Sequence, residues 1–463
     1  MAVQDSRKLQ RASNVTAFLA QRTAELRYEH LSDEARTVAG HCFLDFFGVA
    51  LAGSHEPLTE IMAATVAEDG GSPHATVIGR GSRGSVEQAA LLNGAMAHAL
   101  DFDDVHMAVP GHPTVSIGPT VLALGEWRGT SGREIITSFA AGVEMACRVG
   151  LMTGPSHYAH GWHPTATVGA IGAAAAAANL LGLDADRTAH ALGIAATQAA
   201  GLKSVFGTMC KPMHAGHAAA TGVQAARLAA RGFTSNPAIL DVEQGFIATQ
   251  STTADPQAAL HNPPGGFYLP QVLFKYHATC YFTHSSIEAL GAIRREFAPR
   301  PESVRRVVLR VSPGHLRICN ILEPKTALEA KFSLRMTSAL ALLGENTASE
   351  AVFCDATMHR PDVINLCDKV EVEPRQATSE TLTEVFVHLD DGTVLRQVYD
   401  VGIPETDLAA QGDKLKAKFM KLAEPALGAD AARAVAERCG GLSNLQNLTE
   451  LCQLVGRKKA NGA

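Results

Sequence analysis

A chain of 463 residues is longer than one hydrophobic core usually serves, so two domains are expected. Apolar residues make up 46% and charged residues 19%, with a net charge of -6, a balance that fits a compact enzyme-like protein and excludes a nucleic-acid-coating or disordered one. Any anionic ligand must then be met by a local cationic pocket.

The nine cysteines are scattered, with no Cys-x2-Cys or Cys-x4-Cys pair. That disfavours a zinc ribbon, an iron-sulfur cluster and a disulfide scaffold, and points to a reducing cytoplasm. The opening MAVQDSRKLQRASN is polar without an apolar signal core, and no charge-free run approaches a membrane span. No membrane or nucleic-acid partner is expected.

From residue 14 to 262, apolar residues recur at three-to-four spacing among many Ala and Gly. This pattern predicts helices over 15–28, 32–52, 57–68, 86–100, 116–127, 132–152, 164–181, 186–200, 215–231 and 237–249. Ser131 and Glu134 form a capping-box signature, and Gly232 is a natural helix stop. ATVIG (75–79) is the one early strand candidate, and the GRGSRGS that follows reads as a surface loop, since no GKS/T or dinucleotide-type spacing accompanies it. NPPGG (262–266) then breaks the regime. SVRRVVLRV (303–311) and TEVFVHLDDGTVLRQV (383–398) alternate with period two, the second around an Asp-Gly turn, with helical patterns at 285–297 and 326–344 between them. Helix returns at 413–427, and the terminal GRKKANGA is expected to fray. The expected fold is mainly α: a helical domain from residues 1–266 and 406–463, with a smaller α+β domain inserted at 267–405 that could close over a cleft.

Nineteen histidines is a high count, and ten fall in four short stretches beside helix-start or helix-stop sequences. These are His98, His106 and His112; His157, His160 and His163; His214 and His217; and His277 and His284. DFDD (101–104) adds three carboxylates to the first group. Metal binding is one reading, but three carboxylates at a helix end cannot all point one way, and no His-Glu-x-x-His or paired Cys supports them. A structural use, with Asp101, Asp103 and Asp104 satisfying helix ends and loop amides, is the second. The third is acid/base chemistry, which needs a proton acceptor, a cation for the developing negative charge and a donor. His112, His163 and His284 can titrate near neutrality, and Lys211 is the cation.

AHALDFDD with GHPT, HGWHPTATVGA, GTMCKPMHAGHAAATGVQAARLAARGFT, KYHATCYFTHSSIEAL, EAKFSL and GDKLKAKF occur in this order along the chain. Together they resemble the signatures of the MmgE/PrpD family, which includes 2-methylcitrate dehydratase, cis-aconitate decarboxylase and iminodisuccinate epimerase. The resemblance implies a large helical domain built from both chain ends, a smaller α+β lid, a homodimer, and neither metal nor organic cofactor. Carried over position by position, it places catalytic residues at Asp101, His112, His163 and Lys211. His284 is preferred over His277 as the last histidine, because it is expected to open a helix. His106, Lys275 and His277 are the accompanying substrate-binding candidates. One departure is Val105, where the decarboxylase and dehydratase branches carry Thr; His106 could replace the missing hydroxyl. The implied activity is removal of a proton alpha to a carboxylate of a small di- or tricarboxylate. A 2-methylcitrate dehydratase-like lyase leads, epimerisation of iminodisuccinate follows closely, and decarboxylation comes third. A helical binding scaffold without turnover and a metal-dependent hydrolase are the readings from other classes.

Overall fold

The computed structural model describes residues 15–376 and 378–458. The polar opening stretch at 1–14 and most of the tail expected to fray, 459–463, lie outside the described residues. The chain divides into two compact units, the first made of residues up to Val272 together with those from Thr406 on, the second of Leu273–Glu405.

Unit one opens with α1 (Val15–Glu25), α2 (Asp33–Gly53) and α3 (Pro57–Asp69). A two-stranded antiparallel ribbon follows, β1 (Ala75–Val77) against β2 (Ser82–Gly84), so part of the GRGSRGS stretch is strand rather than loop. Next come α4 (Val86–His98), α5 (Thr114–Arg128), α6 (Gly132–Ala159), α7 (Pro164–Leu180), α8 (Ala185–Ala196), α9 (Cys210–Ala230) and the short α10 (Phe246–Gln250). Alanine decides how α7, α8 and α9 meet. Ala174, Ala177 and Ala178 pack on Ala191 and Ala195 and on Ala225, Ala226 and Ala229, and such small side chains let helix backbones approach closely.

Local chemistry accounts for the helix ends. Ser131 Oγ accepts the Glu134 amide N–H at 3.4 Å while the Glu134 carboxylate accepts the Ser131 N–H at 2.7 Å, which closes the capping box of α6. α6 is kinked just beyond the end predicted at 152: Gly154 takes a non-helical φ of 59°, and a second helical stretch runs on to Ala159. A side chain there would also meet the Thr253 carbonyl, 2.8 Å from its Cβ. By length and composition α6 could cross a bilayer, yet it is almost wholly buried inside the fold. The helix expected at 237–249 shrinks to α10: Asn236 caps the Ala238 N–H at 2.9 Å, and Asp241 turns back to accept the Val15 and Thr16 N–H groups at the start of α1.

Unit two is α+β. It contains α11 (Tyr281–Phe297), β3 (Val304–Val311), α12 (Pro313–Ile318), α13 (Ala327–Ala330), α14 (Leu334–Leu343), α15 (Asp355–Met358) and α16 (Pro361–Asp368). β4 (Val370–Pro374), β5 (Leu382–Leu389) and β6 (Val394–Asp400) complete its sheet, in the order β4-β3-β5-β6. β3 and β4 run parallel, and β5 and β6 form the hairpin around Asp391-Gly392. The single helix predicted at 326–344 is broken where Ser333 pairs with Asn320 and caps the Met336 N–H.

The chain then returns to unit one with α17 (Leu408–Leu427), α18 (Ala429–Gly440) and α19 (Thr449–Val455). α17 packs on α2 and carries Lys418 into the core, where only 7% of the residue remains exposed. Its ammonium donates to Asp45 Oδ1 at 2.6 Å and to the Phe102 carbonyl at 2.7 Å, and lies 3.9 Å from the Phe102 ring centre. Removing one partner of such a buried pair strands the other charge and typically costs about 3–5 kcal/mol. Lys418→Met should therefore lower the stability of unit one by about that amount, and adding Asp45→Asn should recover part of the loss. Chemical unfolding followed by tryptophan fluorescence reads this directly, since both tryptophans, Trp127 and Trp162, belong to unit one.

Candidate active site

α4 ends at His98, and the chain leaves it through Asp101, whose φ of 53° is left-handed. Aspartate tolerates this region better than most residues. The reversal ends helical periodicity, so the carboxylates of DFDD diverge in a way helix geometry does not describe. Asp101 and Asp103 turn toward the same cluster, whereas Asp104 turns away to accept the Thr114 N–H at 3.4 Å and its hydroxyl at the start of α5.

Asp103 is the buried centre of the cluster. Its two oxygens each lie 3.0 Å from His98 Nδ1, and Oδ2 lies 2.9 Å from His112 Nδ1, an ion-pair distance off the ideal hydrogen-bond direction. Burial pushes its pKa up, but His112 and His98 outweigh burial and hold it well below the usual carboxylate value. Burial takes His98 down to about 4 despite Asp103, so at neutral pH His98 is an uncharged ring donating Nδ1–H. Nε2 of His112 faces Asp101 Oδ1 at 3.6 Å, and the Lys211 ammonium lies 2.8 Å from the same oxygen. Lys211 occupies the first turn of α9, which begins at Cys210 rather than at the predicted 215; a proline such as Pro212 is compatible with a first turn.

His163 closes the cluster. It precedes Pro164 at the start of α7, and its own N–H donates to the Gly201 carbonyl at 3.0 Å. The ring stacks on His98 at 5.9 Å, meets the Phe206 ring edge-on at 4.9 Å, and places Nδ1 3.1 Å from His214 Nδ1. Burial lowers its pKa well below the usual value, and the neighbouring His98, Lys211, His112 and His214 push the same way. Four of the sequence-derived residues, Asp101, His112, His163 and Lys211, thus meet in unit one. Sequence reasoning missed His98, Asp103, Phe206 and His214 as members. For His214 a signal existed, since it stands three residues after Lys211 on the same face of α9.

The remaining candidates have other surroundings. His106 is 2% exposed; its Nε2 donates to the Tyr268 carbonyl at 3.0 Å and its Nδ1 accepts the Ala108 N–H at 3.1 Å. Both nitrogens serve the fold, which removes His106 from the substrate-binding set and from the role of replacing a hydroxyl at Val105. In unit two, Lys275 is buried, and His277 is held by Glu288 Oε1 at 3.2 Å and Thr347 Oγ1 at 2.8 Å. His284 does not open its helix: α11 begins at Tyr281, and His284 lies buried in its first turn with Nε2 3.3 Å from the Thr279 carbonyl.

His98, Asp101, Asp103 and His112 also have the types and spacing of a metal-ligand set, with one ligand atom from each lying within 4.8 Å of the others. As expected, the three carboxylates do not all point one way, since Asp104 turns to Thr114; two of them do converge with two histidines. These carboxylates nevertheless have partners within the protein here, Lys211 on Asp101 and the imidazoles of His98 and His112 beside Asp103.

Two outcomes follow. Exhaustive chelation of the purified protein should leave turnover intact; a loss restored by one divalent ion would assign the four residues to a metal. The second concerns Asp104, whose pKa burial and then the charge of Asp45 raise to about 8, far above the unfolded value near 3.9. The folded state therefore holds a proton that the unfolded chain has shed. Stability that is full below about pH 4 should fall as pH rises through 8, and Asp104→Asn should flatten this part of the profile.

Comparison with known proteins bears on the same residues. The MmgE/PrpD N-terminal domain matches residues 17–259, and the MmgE/PrpD C-terminal domain matches 277–441. Human cis-aconitate decarboxylase is 27% identical over 96% of this chain and 94% of its own length. The cis-aconitate decarboxylase-like protein oryM of Aspergillus oryzae is 26% identical over 96% and 97%, and cis-aconitate decarboxylase of Aspergillus terreus 25% identical over 96% of each. Family models that cover both parts of the chain, and relatives aligned over nearly its whole length, agree: the chain belongs to the MmgE/PrpD family.

Proposed function

We propose that the protein is a cofactor-independent lyase that moves a proton at carbon next to a carboxylate of a small di- or tricarboxylate. The observation that carries this reading is the placement of the Lys211 ammonium on Asp101, beside a His112 ring whose far nitrogen rests on buried Asp103. With Asp103 close to Nδ1, Nε2 is the nitrogen that faces Asp101 and Lys211 and is left for chemistry. Negative charge that develops on the substrate is met by Lys211. His163, kept neutral by its surroundings, is the second imidazole able to take or return a proton.

Within that class, decarboxylation of a cis-aconitate-like acid moves ahead of the dehydration favoured from sequence motifs, because full-length relatives carry that activity in their names. In such a step the bond to the departing carbon dioxide leaves its electron pair on the carbon framework. The neighbouring unsaturated carboxylate spreads that charge toward Lys211, and an imidazolium quenches it by giving a proton to carbon. Epimerisation is the second reading. It is favoured by Val105, a buried apolar side chain where the family resemblance leads to the expectation of a threonine hydroxyl for dehydration or decarboxylation, since removing and returning a proton needs no such donor.

Proton NMR in heavy water with cis-aconitate, 2-methylcitrate, citrate and iminodisuccinate separates these outcomes. Carbon dioxide loss, water loss, and deuterium uptake without net conversion are three distinct spectra; no exchange on any acid would overturn the proposal. Lys211→Ala should lower turnover about a hundredfold or more with the fold intact, comparable to losing one oxyanion donor. Lys211→Arg should also fail, because a planar guanidinium does not replace a compact ammonium at a shaped site.

A further inference from the structure

The contact between His163 and His214 has a chemistry of its own. Two imidazole nitrogens 3.1 Å apart form a hydrogen bond only if one carries a proton and the other does not. The surroundings favour neutral rings. Burial lowers the His214 pKa, with His217 and Lys211 adding to it, and the stronger effect on His163 has the same sign. Among the described residues, neither His163 nor His214 hydrogen-bonds through Nε2, so the pair is joined at its inner nitrogens and unused by the fold at its outer ones.

Gly201 makes the approach possible. Its φ of 148° is open to glycine, its carbonyl holds the His163 N–H, and a Cβ there would lie 2.5 Å from that of Ala166 and 3.3 Å from His214 Nδ1. His163 is 2% exposed, His214 is half-buried, and His217, one turn further along α9, is exposed. The pair thus runs from the buried cluster toward the surface.

We propose that His214 is the outer member of an imidazole pair through which the reaction's proton exchanges with solvent. The proposal rests on the proton-transfer reading above. His163 starts with its proton on Nδ1, donated to His214 Nδ1, and His214 carries its own on Nε2. When His163 Nε2 takes a proton from substrate carbon, the Nδ1 proton passes to His214 Nδ1, and His214 releases its Nε2 proton to water. One proton enters and one leaves; both rings stay neutral in the exchanged tautomers. The reverse sequence delivers a solvent proton to carbon. His214 is in these terms a relay that acts through His163, without touching substrate.

The test is His214→Asn, whose amide can still partner His163 Nδ1 but cannot pass a proton from one ring nitrogen to another. With the true substrate, kcat and deuterium incorporation should fall about ten- to a hundredfold, within the range of general acid–base effects, while KM changes little. Added imidazole should restore both in proportion to its free-base concentration, and a His214→Phe variant should show the same rescue. A folded His214→Asn protein with wild-type exchange would overturn the relay, and so would a loss that no small imidazole restores, which would leave His214 only a packing role. If the wild-type protein itself exchanges no proton on any of the four acids, the functional reading fails and the relay falls with it; exchange by wild type that His214→Asn matches removes the relay alone.

Discussion

A single buried ammonium organises unit one. Lys418 reaches from α17 to Asp45 on α2 and to the carbonyl of Phe102, inside the turn that presents Asp101 and Asp103. The turn needs such an anchor, because it has left α4 through a left-handed residue and has no helical ladder of its own. Buried charge is tolerable only when paired and hydrogen-bonded, so Lys418, Asp45 and the Phe102 carbonyl have few alternative arrangements. The neighbouring Asp104 meets the same constraint differently, by keeping its proton and bonding Thr114.

On this base the site is built from groups whose charges are assigned by their neighbours. Asp103 stays ionised between two imidazoles, His98 is neutral because it is buried, and Lys211 rests on Asp101 at the half-exposed edge. The cluster so contains separate proton acceptors and one ammonium held close to them. Preorganisation of this kind lets charge develop on a bound acid without rearrangement of the protein.

Much of this was legible in the sequence, and what was not has physical causes. Periodicity located the helices of unit one, and the Ser131 capping box and the Asp391-Gly392 hairpin were readable from local rules. The breaks were not: Asp241 abandons a predicted helix to cap α1 across 226 residues of sequence, and no window on 237–249 contains that partner. Motifs pointed to Asp101, His112, His163 and Lys211, which meet in space. His98 and Asp103 were hidden because their partnership depends on the left-handed turn between them, and His106 misled because a histidine held by two backbone groups has the same letter as one that titrates.

The long reach of Lys418 also sets an order of events during synthesis. Phe102 leaves the ribosome 316 residues before the lysine that holds its carbonyl, which at 5–20 residues per second is roughly 15 to 60 s. Throughout that interval Asp45 and the Phe102 carbonyl lack the Lys418 ammonium, and all of unit two is made before it arrives. Domains generally fold as they emerge, but unit one cannot close until nearly the whole chain is out. A nascent chain halted before α17 therefore leaves the face of α2 that α17 covers exposed and the Phe102 carbonyl without its lysine.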